Sequence, residues 1–140
     1  MIQRIQTLWL LLASGCSFAT LVKSISFFSG NKMVENISKF VPLTARENIL
    51  ILILTVSIAV AALVTIFLFK DRKMQMKITL AILALSILNL ALYFLQTKSY
   101  IEGKMDLTSV ISFAVPVFFM LAVQGIWKDQ KLIKSVDRLR

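Results

Sequence analysis

Residues able to do chemistry are sparse in this chain. It holds no histidine, a single cysteine (Cys16) and seven carboxylates, and every carboxylate lies outside the long apolar runs. A lone thiol can form no internal disulfide and no cysteine-based metal centre. Proton-coupled transport rests on acidic or histidine side chains held inside a membrane. Intramembrane proteolysis needs paired aspartates, or a histidine cluster with a glutamate. Neither set is present. Lys23 is the only charge within an apolar run, so a Ser–Lys nucleophile pair is formally open. Lys23 stands about one turn from the end of its run, where its stem can snorkel to water, and such a lysine is a poor base. The residues therefore point away from an enzyme, and no cofactor or metal is expected.

The polar residues that remain fall into two groups. Within the apolar runs, Thr55, Asn89 and Ser112 stand roughly level, with Pro116 one turn beyond Ser112. Small hydroxyls let helices pack closely, and an asparagine can bond across to a neighbour. Proline removes an amide donor and crowds the carbonyl four residues back, so a kink is expected at Ser112–Pro116. The second group is charged and gathers at the run ends: Arg4, Arg72, Lys73, Lys131, Lys134, Asp137 and Arg138. Asp129 and Asp137 interrupt an otherwise basic tail, which a pure lipid anchor has no reason to include. They read either as partners of Arg4, Arg72 or Lys73 or as unpaired, solvated acids.

The elements that position these groups are apolar helices. The 140 residues are 58% hydrophobic and 16% charged, against roughly 45–50% and about 25% in soluble domains. Ile49–Phe69 and Ile78–Leu95 carry no charge, and each approaches the roughly 20 residues that cross a hydrocarbon core. The eight residues between them permit only a tight helical hairpin. The expected fold is all-α: one four-span membrane domain over residues 1–140, its helices near 5–29, 45–70, 75–96 and 107–127. Thr44-Ala45-Arg46-Glu47 reads as a capping box opening the second helix. In the outer loop 30–44, Met33, Val34, Ile37, Phe40 and Val41 recur at helical spacing, which predicts a short interfacial helix. Leu132, Ile133, Val136 and Leu139 share a helical face, so residues 128–139 are expected to form a separate basic amphipathic helix. Tyr93 and Tyr100 fall where an outer aromatic belt belongs.

Charge sets the orientation. Ten Lys and Arg flank one side of this arrangement (Arg4, the 70–77 link and the tail), five flank the other, and Lys23 sits at the edge. That bias places both termini in the cytoplasm. The formal charge of +9 is then explained by topology and anionic lipid, and no nucleic-acid partner is expected. Ala13-Ser14-Gly15-Cys16 is similar to a lipoprotein cleavage box. The apolar run continues past Cys16, however, and an uncleaved helix is expected.

The stretches Met1–Ala13 (MIQRIQTLWLLLA) and Lys128–Arg140 (KDQKLIKSVDRLR) resemble a family of small four-span membrane proteins of Bacteroidetes, classed as a domain of unknown function. The resemblance implies a Gram-negative inner membrane and an uncleaved first helix. It carries no activity and no site residues. Two functions are expected: a non-catalytic scaffold or accessory subunit, partnered by another membrane protein or a second copy, or a small transporter or channel component.

Overall fold

The computed structural model describes residues 5–35 and 37–137. The chain runs α1 (Ile5–Ala19), β1 (Phe28–Val34), β2 (Ile37–Leu43), α2 (Ile49–Phe67), a 3₁₀ turn (Leu68–Lys70), α3 (Arg72–Thr97), β3 (Glu102–Met105) and α4 (Ser109–Asp137). Four helices dominate, and α2, α3 and α4 are each long and apolar enough to cross a membrane.

Polar side chains at the helix ends show how the helices lie. Asn48 Nδ2, at the start of α2, donates to Gln96 Oε1 at the end of α3 (3.2 Å). Gln75 Nε2, in the first turn of α3, donates to the Thr65 carbonyl at the end of α2 (3.2 Å). These two helices are therefore antiparallel. Gln130 Nε2 of α4 donates to the Arg72 carbonyl (3.0 Å), which brings the far part of α4 to the start of α3. Gly125 completes the end: a Cβ there would come 3.2 Å from the Gln6 Cβ, so α1 and α4 touch almost backbone to backbone.

Burial is patterned for a lipid surround. Inside lie small or hydroxyl residues, among them Ala13, Ser14, Ser17, Ala59, Ala62 and Ala122, with Phe119 filling the centre. Leu8, Leu11, Ile53, Val60, Leu80, Leu88, Val117 and Met120 face outward. Water would penalise such a surface at about 25 cal/mol per Å² of apolar area, whereas lipid does not. Small interior residues let the helices close on one another, as where Ser14 Oγ donates to the Ala59 carbonyl (3.1 Å).

Four expectations fail at the opposite end. The 30–44 segment is a β-hairpin, with β1 antiparallel to β2 from Phe28↔Leu43 to Val34↔Ile37. β3 adds along the other edge of β1, from Phe28↔Met105 to Asn31↔Glu102, for the order β2-β1-β3. Met33, Ile37 and Phe40 follow the helical period, but in β2 Ile37 and Phe40 fall on opposite faces, and strand pairing, completed by β3 some 70 residues downstream, overrides the local spacing (Glu35 turns the hairpin at φ 53). α1 stops at Ala19 rather than near residue 29. Around its end, Ser17 and Thr20 turn their hydroxyls onto backbone carbonyls, and the β-branched, Ser-rich residues 20–29 pass through turns into β1. Lys23 is accordingly exposed in a turn, not in a helix. The Thr44 box is an isolated turn: Glu47 N–H bonds the Thr44 carbonyl, and Asn48 caps α2 through Leu50 N–H (2.9 Å). Tyr93 is buried, stacked on Phe27 at 4.7 Å, and so belongs to the core rather than a belt. Tyr100 is half-buried against Phe28, and burial, then the nearby Glu47 carboxylate, raises its pKa above the ordinary phenol value.

Candidate functional site

The charged end of the bundle is built by two helix termini. Asp71 closes the 3₁₀ turn and caps α3, its Oδ1 accepting from Met74 N–H at 3.2 Å. The cap fixes where α3 begins and so places Arg72 against α4. There Arg72 Nη1 lies 3.9 Å from Asp129 Oδ2, and Gln130 takes the Arg72 carbonyl from the next position. Of the partners considered for the tail acids, Arg72 is the one found beside Asp129. Both side chains are about a third exposed, so the pair orients α4 and contributes under about 1 kcal/mol.

Those contacts hold the tail up. No glycine or proline separates Trp127 from Lys128, and α4 runs unbroken for 29 residues, through Pro116, to Asp137. The separate surface helix expected over 128–139 is therefore the continuation of α4. At 1.5 Å per residue α4 is about 43 Å long, against a hydrocarbon core of about 30 Å. Roughly two turns thus stand clear of the span. They carry exposed Leu132, Ile133 and Val136 beside Lys128, Lys131 and Lys134.

Two clefts flank this projection. One, of about 270 Å³, is lined by Trp127, Gln130, Lys131 and Lys134, with Lys131 Nζ 5.9 Å from the centre of the indole ring. The other, also about 270 Å³, lies between α1 and α4, with Trp9 and Leu121 in its wall and Lys128 and Asp129 at its rim. Lys73 is exposed on the α3 side of the same end. Arg4 and Arg138 lie outside the described residues, as does the side chain of Asp137. Gln130 and Gln75 were missed from sequence: glutamines among lysines look like solvated surface, and only the packed helices show each reaching a carbonyl. Among the described residues, no group of three His, Cys, Asp or Glu stands close enough to hold a metal ion.

The interior group is separate from this end. Asn89 Nδ2 donates to Thr55 Oγ1 at 3.0 Å, joining α3 to α2. Ser112, one turn before Pro116, lines the same small cavity. Intramembrane bonds of this type average roughly 0.6 kcal/mol, so Asn89→Leu should lower unfolding stability by about that much and leave the fold intact. Denaturation in mixed micelles measures it, and unchanged stability would mean that the bond contributes nothing.

A family model described as Domain of unknown function (DUF4293) matches residues 2–139. No curated protein and no solved structure matches the chain.

Proposed function

Because the chain belongs to the DUF4293 family, whose description carries no activity, we propose a role from the geometry: a non-catalytic scaffold or accessory subunit of a bacterial inner-membrane complex. All four helices cross the bilayer in this reading, and both termini lie in the cytoplasm. α1, at 15 described residues, spans about 22 Å and needs local thinning or the turns beyond Ala19 to complete its crossing. One observation carries the proposal. α4 outruns the membrane and is braced by Arg72, which presents an apolar stripe between lysines where a partner can reach it. Anionic lipid at that face would add about 1 kcal/mol per nearby lysine.

Orientation is tested with single cysteines in a Cys16→Ser background. In intact spheroplasts, Lys73→Cys and Lys134→Cys should resist an impermeant thiol reagent, while Lys39→Cys and Lys104→Cys react. The reverse pattern would invert the topology and move the docking face outside. The role is tested by affinity purification in mild detergent, which should bring a stoichiometric partner. Solute flux through proteoliposomes of the chain alone would replace the scaffold with a transporter.

A further inference from the structure

The helices enclose a polar cavity, lined by Ser17 from α1 and Thr20 just beyond it, Thr55 from α2, Ser86 and Asn89 from α3, and Ser112 from α4. It leaves about 10 Å³ for the centre of a water-sized guest, which is room for roughly one molecule.

Its hydrogen-bonding capacity is uneven. Four of the hydroxyls have already given their hydrogens to carbonyls of their own helices: Ser17 to Ala13, Thr20 to Ser17, Thr55 to Ile51 and Ser86 to Leu83. Asn89 has given one of its two amide hydrogens to Thr55. Asn89 Oδ1 is buried and, among the described residues, accepts from no group. Pro116 has no N–H, so the carbonyl of Ser112, a residue that lines the cavity, loses its helical donor four residues on. Two acceptors on facing helices thus want donors. The hydroxyl of Ser112 is a further donor at the cavity, while that of Tyr93 is engaged with Thr55.

We infer that this cavity is a binding site for a single structural water, which donates to Asn89 Oδ1 and the Ser112 carbonyl and accepts from the Ser112 hydroxyl. A bare cation fits less well, since the site holds no carboxylate to compensate a buried charge. A dry cavity would leave a buried amide oxygen and a freed carbonyl unpaired, which is costly for each. Ordered water is one of the ways a membrane helix satisfies the backbone freed by a proline.

The test is magnetisation transfer from water to methyl groups in perdeuterated protein with protonated threonine and isoleucine methyls, held in phosphatidylcholine nanodiscs. The expected result is a direct water peak to the Thr55 and Ile58 methyls, with no peak to the lipid-facing Ile53 methyls. The peak should disappear in Asn89→Leu, whose other methyl shifts report an intact fold, and should persist in the more conservative Asn89→Gln. A wild-type spectrum without the peak, or a peak unaltered in Asn89→Leu, would overturn the inference. Saturable Thr55 shifts on exchanging choline for sodium would also overturn it, and would make the guest a cation.

Discussion

Gly30→Val should separate β3 from β1 and cost about 1–3 kcal/mol, the range for forcing atoms into a packed site. Gly30 lies directly opposite Gly103, and a Cβ on Gly30 would overlap the Glu102 carbonyl oxygen and come 2.8 Å from the Gly103 Cα. Both obstacles are backbone, so no rotamer change relieves them. Gly103 is bound by the same crowding, since its missing side chain is the space that the Phe28 ring fills. A disulfide placed across the neighbouring pair, Asn31→Cys with Glu102→Cys in a Cys16→Ser background, reports the pairing. It should form in an otherwise native chain and fail when Gly30→Val is added. Full crosslinking in the valine variant would show that the strands tolerate the extra atoms.

Shuffling residues 128–140 with composition held constant should cost roughly 2 kcal/mol or more of partner binding, about thirtyfold in affinity. The shuffle retains the lysines but scatters the stripe of Leu132, Ile133 and Val136 and moves Asp129 away from Arg72. A purely electrostatic anchor would be indifferent, since each lysine near an anionic surface adds about 1 kcal/mol whatever its neighbours. Asp129→Asn, which loosens the brace alone, should weaken binding by under about 1 kcal/mol. Quantitative recovery of the partner from membranes separates these outcomes. A shuffled tail that retains both its partner and its activity in cells would reduce α4 to a lipid anchor.

The helices α2, α3 and α4 were legible because charge-free apolar runs of membrane length favour helix, whereas the first run gives only α1 before it turns into β1. The tight turn between α2 and α3 was legible too, though it is shorter than expected: α3 already begins at Arg72. The sheet was not. Its middle strand is selected by a partner some 70 residues downstream, and no window along the chain contains both. Met33, Ile37 and Phe40 looked helical because they do follow the helical period, and long-range pairing overrode it. The clasp at the base of the sheet was hidden for the same reason: Ser26 and Ser29 both donate to Asp106, and Thr108 to the Ser26 carbonyl. At the charged end, sequence singled out Arg72 and the tail acids through sign alone. It misplaced the tail helix as separate because the composition changes at Trp127, whereas the backbone has no reason to stop there.

The sheet also sets an order of events during synthesis. β1 and β2 emerge together and can pair at once, because two residues join them. The other edge of β1 must then wait for α2, α3 and β3, and until Glu102–Met105 arrives its amides and carbonyls stand open beside the membrane. That interval is the stage at which the nascent chain is most exposed to pairing with a strand from another copy. Once β3 docks, the loop between α1 and α2 is joined to the loop between α3 and α4. The two helical hairpins can then no longer drift apart in the plane of the bilayer. Sheet closure therefore waits for residue 105, and a chain released before then has α1 to α3 joined by bonds such as Ser14 to Ala59 and Asn89 to Thr55, but an open strand edge.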